Sequence, residues 1–270
     1  MRMSFAVFLM LALFVAPAAV PVAPAATAVK TVKPGVLTVA IDNDMPFCKE
    51  DNGKIIGVDG EIMTAIANGL GLKVEPVVME WAAEIASVQS GRVDTNMCGM
   101  AYTAEREKVV NLTHGAYYQV TEFTQLKTSN IKSLDDLKGK TVGTIQGYFY
   151  IPELKQVPWI GEQNLKLYNT IDAAIQDLIA KRVDAIIIGA ASSAWLQRQH
   201  PEWNLKYEPV AASKYMPDTT DKARTVFSTK KDNTDLLDAM NKVIDKAKAD
   251  GTVKKILATY GSDNPAFLAP

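Results

Sequence analysis

Histidine and cysteine are almost missing from this chain, with two of each in 270 residues. His114 and His200 stand far apart in polar, loop-like or helix-terminal sequence. That excludes a histidine-rich metal centre and leaves no Ser–His–Asp or Cys–His pattern for nucleophilic catalysis. Cys48 and Cys98 lack the paired spacing of a zinc site, so no metal is expected. Neither sign of charge dominates: 29 Lys and Arg against 30 Asp and Glu give a formal net charge of −1. A nucleic-acid partner would need a basic footprint that this balance does not supply, and no basic patch marks a membrane surface. Long hydrophobic runs are missing too. The apolar run at residues 5–15 (FAVFLMLALFV) has eleven residues, short of the roughly 20 that span a bilayer.

That run instead has the flanks of a secretory signal. Arg2 precedes it, and Ala26-Thr27-Ala28 behind it fits the A-x-A cleavage pattern, as does Ala23-Pro24-Ala25. Residues 1–28 are read as a signal peptide, with no cysteine near either cut to carry a lipid anchor. Its removal takes away only Arg2, leaving 28 basic side chains against 30 acidic ones. In an oxidising compartment the cysteines either pair as a disulfide or stay as buried thiols, which behave as small apolar groups. The sequence leaves both open.

The remaining chain alternates strands and helices. Residues 36–41 (VLTVAI) read as a strand buried on both faces, followed by a polar hairpin over 46–53. Ile62, Ala65, Ile66 and Leu70 recur at helical spacing and stop at Gly71. Strands are expected at 74–78 and 93–98, with a short helix over 82–89 between them. The pattern then restarts: a short helix over 133–138, strands at 141–145, 165–168 and 185–188, and helices at 171–179 and through 194–196. Helices close the chain, broken at Gly251. Such alternation predicts an α/β fold with mostly parallel sheets, and two units of similar size predict two lobes. Ligands of such sheets bind beyond the carboxyl ends of the strands, which places 42–47, 98–106, 146–150 and 189–192 at a cleft.

Ser90-Gly91-Arg92-Val93-Asp94 followed by Gly99-Met100-Ala101-Tyr102-Thr103-Ala104-Glu105-Arg106 resembles the signature of family 3 solute-binding proteins, which serve polar amino-acid importers. Val39-Ala40-Ile41-Asp42 with Pro46-Phe47, then Leu137-Lys138-Gly139-Lys140-Thr141-Val142-Gly143, Arg182-Val183-Asp184-Ala185 and Asp250-Gly251-Thr252 are similar to further family elements in the same order. Lys181 stands where glycine is usual. The resemblance implies a two-lobed type II periplasmic binding protein fold. Lobe 1 would hold residues 29–122 and 226–270, and lobe 2 residues 123–225. It further implies a monomeric periplasmic protein without a cofactor, whose partners are a small-molecule ligand (an amino acid or related carboxylate) and an inner-membrane ABC permease.

The resemblance also assigns site residues. Arg106 would bind a ligand carboxylate, as a planar guanidinium fork can. Trp81 would stack on the ligand, and Asp42 would meet its side chain. Asp44, Phe47, Gly99, Ala101, Tyr148, Phe149 and Gly189 occupy the other matching cleft positions. Three of these depart from the pattern. Ala101 replaces a hydroxyl that binds the carboxylate, Tyr148-Phe149-Tyr150 replaces small residues, and Gly189 replaces the aspartate that binds the ligand's ammonium. A buried ammonium needs a carboxylate partner, so either Asp44 or Glu80 takes it over or the ligand has none. An accessory or sensory protein for an ammonium-free carboxylate is therefore an alternative. A secreted dehydratase on the same fold would need a cleft acid in lobe 2, and none follows Gly147 or Ala185. The chain is expected not to be an enzyme.

Overall fold

The computed structural model describes residues 29–211, 213–217, 223–261 and 267–268; the segment read as a signal peptide, 1–28, lies outside them. Strand β1 (Val36–Ile41) is buried at five of its six positions and forms the middle of a three-stranded parallel sheet. The hairpin of β2 (Lys49–Asp51) and β3 (Lys54–Ile56) follows, turning at Asn52 and Gly53, both at positive φ. Helix α1 (Val58–Leu70) has no side-chain cap. Its first free N–H groups are met by the preceding loop instead, Val58 N donating to Pro46 O and Asp59 N to Phe47 O, both at 2.8 Å. That approach requires Gly57, since a Cβ there would lie 2.5 Å from Phe47 O and φ is +103°.

β4 (Lys73–Val78), helix α2 (Trp81–Gln89) and β5 (Thr95–Asn96) complete the first unit, with β4 and β5 flanking β1. The strand expected over 93–98 is only two residues long. Asp94 turns its carboxylate onto Val32 N and Thr38 N instead of extending the ladder, and Cys98 and Gly99 leave the extended region at φ +83° and +71°. Helix α3 (Ala104–Val109) and two short strands, β6 (Asn111–Leu112) and β7 (Tyr117–Gln119), lead out of lobe 1.

The second unit has a five-stranded sheet. Its members are β8 (Thr121–Leu126), β9 (Val142–Ile145), β10 (Leu165–Tyr168), β11 (Ala185–Gly189) and β12 (Leu205–Pro209), in the order β10-β9-β11-β8-β12. β8 runs antiparallel to both of its neighbours, β11 and β12, and the other pairs are parallel. Helices α4 (Ile151–Gln156), α5 (Ile171–Ile179) and α6 (Ala190–Gln199) cover it. β11 shows why its sequence reads as one apolar run: Ile186 and Ile188 enter the core under α5, whereas Ile187 enters the core on the opposite face. β8 begins at Thr121, which pairs with Gly189, so residue 123 falls inside a lobe 2 strand.

The chain returns through β13 (Ala223–Thr225), paired with β7, and β14 (Ser228–Thr229), paired with β6. The two crossings therefore run side by side as antiparallel ribbons. Helices α7 (Thr234–Ala249) and α8 (Thr252–Thr259) then pack Leu236, Met240, Ile244 and Leu257 into the same core as Ile62, Met63 and Ile66 of α1. Gly251 separates them at φ +81°. Among the described residues no helix is long and apolar enough to cross a membrane.

Cys48 and Cys98 form a disulfide, with Cα atoms 5.2 Å apart and a separation of 50 positions in sequence. It ties the loop after β1 to the loop after β5. Closing a loop of that length restricts the unfolded chain by roughly 4 kcal/mol. The double variant Cys48→Ser/Cys98→Ser is expected to lose up to about that much stability in urea unfolding, and thiol titration of the unfolded, unreduced wild type should find no free thiol. An unchanged unfolding midpoint would show that the bridge contributes nothing.

Candidate functional site

Two loops of lobe 1 and two of lobe 2 face each other across one cleft. In the loop after β1, Asn43 takes φ +63° and redirects the chain so that Asp44 and Phe47 line the cleft. Asp42 stays a step back at the strand end, with its Oδ1 3.8 Å from Cys48 Sγ. The disulfide leaves no thiolate there to join Asp42 in binding a metal. Glu80 is exposed ahead of α2 and does not line the cleft.

The second lobe 1 loop is residues 98–101, and its shape is set from beneath by a residue that sequence reasoning passed over. Asp59, fully buried at the start of α1, accepts hydrogen bonds from Cys98 N at 3.1 Å, Gly99 N at 2.6 Å and Tyr117 Oη at 2.6 Å. The left-handed pair Cys98-Gly99 aims both N–H groups at that one carboxylate. Beyond the turn, Ala101 bridges to Thr225 of β13, and Val226 N donates to Met100 O at 2.8 Å. Thr103 caps α3 by accepting from Arg106 N.

Arg106 is 8 % exposed. Its Nη1 donates to Ala101 O at 2.6 Å, and its Nη2 crosses the cleft to Gly147 O at 3.2 Å. The guanidinium carbon lies 5.5 Å from the centroid of the Trp81 ring, within cation–π range. Burial lowers its pKa to about 10, opposed by the negative charge of Glu84, so the group stays charged at neutral pH. Glu84 itself is fully buried, bonded through one oxygen to Asn96 Nδ2, and burial pushes its carboxyl well above the usual range.

Lobe 2 supplies the aromatic wall. Gly147 is at φ +87° and sits so close to α2 that a Cβ would lie 3.2 Å from the Trp81 ring. Tyr148 then meets Trp81 edge-on, with centroids 6.1 Å apart, and Phe149 is braced by Tyr150 at 5.1 Å. Tyr150 is buried and donates to Ile187 O, which fixes this segment on the sheet. Gly189 ends β11 and caps α6. Three residues on, Ser192 Oγ donates across the lobes to Asp44, at 3.3 and 3.4 Å from its two oxygens. Burial, then the neighbouring Asp42, pushes the Asp44 carboxyl well above its ordinary range, and burial brings Asp42 to about 7.

Gln119 and Thr121, at the crossing into lobe 2, also line the cleft and were not anticipated. Gln119 belongs to a β-ribbon too short to show a periodicity. Neither histidine lies there: His114 bonds Asp245 and His200 bonds Glu202.

A buried arginine bridging two α/β lobes, above a floor of left-handed loop residues, has the layout of a ligand trap. The profile of the bacterial extracellular solute-binding proteins, family 3, matches residues 37–263. The chain belongs to that family. Similar relatives include the probable amino-acid-binding protein YxeM of Bacillus subtilis (strain 168), 30 % identical with 83 % of each chain covered. The arginine-binding extracellular protein ArtP of the same organism is 29 % identical, covering 78 % of this chain and 80 % of its own. Among solved structures, an ancestral arginine-binding protein bound to glutamine superposes with a TM-score of 0.75 at 31 % identity, over 85 % of this chain and 99 % of the other. As a family 3 protein the chain is a binding protein and not an enzyme, on a type II periplasmic binding protein fold.

The buried acids give this solute-binding protein a pH dependence. Asp59 is raised to about 6, chiefly by burial and against its three hydrogen bonds, and Asp42 to about 7. Both would titrate near 3.9 in the unfolded chain. Between pH 4 and 7 the native state therefore holds protons that the unfolded state has released, and stability falls as pH rises through that window. Asp59 alone corresponds to roughly 3 kcal/mol, at 1.4 kcal/mol per unit. The melting temperature is expected to be higher at pH 5 than at pH 8, and the difference to shrink in Asp59→Asn. A wild-type profile flat from pH 5 to 8 would contradict this.

Proposed function

We propose that this protein, exported through its 1–28 segment, captures in the periplasm a small ligand carrying both a carboxylate and a cationic nitrogen, an amino acid, and delivers it to an inner-membrane ABC permease. The observation that carries the proposal is a buried guanidinium and a buried carboxyl lining one cleft. Arg106 lines it with guanidinium donors to spare, and Asp44 lines it with a carboxyl that burial has left without a cation. A carboxylate on Arg106 gains charge-assisted hydrogen bonds in a site of low dielectric. A cation at Asp44 relieves the repulsion from Asp42 and the cost of burial together. The walls between them, Phe47, Trp81, Tyr148 and Phe149, suit the apolar stem or the guanidinium of a longer side chain. The relatives named for arginine agree with that class. Of the two acids that could meet a ligand cation, Asp44 lines the cleft and Glu80 does not. An ammonium-free carboxylate is therefore the weaker reading.

Calorimetry with the standard amino acids and a panel of ammonium-free carboxylates tests the proposal. Removing one partner of a buried charge pair costs roughly 2–5 kcal/mol, so Arg106→Ala should weaken binding about thirtyfold to several-thousandfold. Asp44→Asn should weaken cationic ligands and spare the ammonium-free ones. Because a bound cation lowers the raised carboxyl pKa values, binding near pH 7 should release protons, seen as an enthalpy that changes with buffer. Full affinity in Arg106→Ala would remove the anchor and the proposal with it. The paired β7–β13 and β6–β14 crossings should act as a hinge. Saturating ligand is then expected to reduce the radius of gyration in small-angle scattering, and an unchanged curve would exclude closure.

A further inference from the structure

We infer that Gln119, at the end of β7, is the residue that receives the ligand's α-ammonium, through its side-chain oxygen, in the space left open at Gly189. The orientation of the amide is fixed by its partners. Gln119 Nε2 donates to Gly99 O and, at 2.9 Å, to Thr225 Oγ1. A carbonyl oxygen can only accept, so the nitrogen must face Gly99 and the oxygen must face away from it. That oxygen points across the cleft: it lies 3.6 Å from where a Cβ on Gly189 would stand, with Phe47 Cζ 3.9 Å from the same point. It makes no hydrogen bond among the described residues. Gly189 thus faces a fixed acceptor.

The same loop links this acceptor to the carboxylate anchor. Gly99 O holds Gln119 and, two residues on, Ala101 O holds Arg106. A carboxylate and the ammonium on its neighbouring carbon, bound to Arg106 and Gln119, would sit side by side along residues 99–101. Gln119 also joins the ligand to both crossings, because β7 pairs with β13 and its amide holds Thr225 of β13. Hydrogen bonds in such a chain polarise one another, so an ammonium on the oxygen strengthens the two bonds that fasten the crossing strands. Asp44 is then left for a second cationic group on the ligand. The assignment rests on the carboxylate-and-cation reading of the cleft.

The test uses the mature protein, the standard amino acid that binds it most tightly, and the analogue of that amino acid lacking the α-ammonium. A hydrogen bond to a charged group predicts that Gln119→Ala weakens the amino acid about tenfold or more, and the analogue less than about threefold. Gly189→Asp is sterically open, with φ −70° and only ordinary contacts around the new Cβ. It should tighten the amino acid but not the analogue, both alone and in the Gln119→Ala background. Equal losses on both probes would make Gln119 a support of the 99–101 loop and overturn the assignment, as would no loss on either. Failure of Gly189→Asp to favour the amino acid over the analogue would overturn the placement of the ammonium, even if Gln119→Ala proved unstable. If no amino acid binds the wild type, the reading of the cleft fails first, and this assignment with it.

Discussion

The carboxylate of Asp59 is the contact on which the cleft depends. It is fully buried at the start of α1 and gathers the N–H groups of Cys98 and Gly99 together with the Tyr117 hydroxyl. Left-handed residues in succession turn their N–H groups to one side, making a concave donor pair that attracts an anion. Here the anion is part of the protein. With those donors consumed inside lobe 1, the carbonyls of residues 99 and 101 are free to face the other way, where they orient Gln119 and Arg106. Removal of the Asp59 carboxyl group would strand buried donors and release that loop, at a cost of roughly 1–3 kcal/mol for each unsatisfied group.

The same constraint connects the lobes. Tyr117, clamped by Asp59, begins β7, and β7 pairs with β13 in the returning crossing. Ala101 bridges to Thr225 of β13 as well. The floor of the cleft and the two crossings therefore form one hydrogen-bonded unit, while among the described residues lobe 2 meets lobe 1 through contacts such as Arg106 to Gly147 O, Ser192 to Asp44, Arg198 to Tyr260 O and the edge of Tyr148 on Trp81. A strong unit on one side and sparse polar contacts on the other is an arrangement in which one lobe can move as a body about paired strands.

Much of this was legible in the sequence, and what was not has a physical reason. Repeated apolar spacing gave the helix at 171–179 with its observed bounds. The buried run gave β1 at 36–41, and Gly251 marked the break between the final helices. These features are local, so periodicity and capping carry them. Arg106 and Trp81 were legible through a motif. Asp59 and Gln119 were not, because each acts on backbone groups 20 to 40 residues away, and nothing in their own neighbourhoods marks that use. The strand over 93–98 was overread for the same reason: its apolar residues fit a strand, but its last turn is dictated by a carboxylate on another element.

The charges around the cleft explain why a zwitterion suits it better than a simple anion. Arg106 remains a cation at neutral pH beside Glu84, and Asp42, Asp44 and Asp59 form a neighbouring set; burial holds all four carboxyl groups above their ordinary range. With Asp42 near 7, part of that set is ionised under physiological conditions. A ligand bringing only a carboxylate would satisfy Arg106 while adding negative charge beside acids that already repel one another. A ligand bringing a cation as well adds no net charge of its own and gives Asp44 a counter-ion against which to ionise. The missing acid at Gly189 fits this balance. The neutral oxygen of Gln119, facing Gly189, accepts an ammonium there without adding charge.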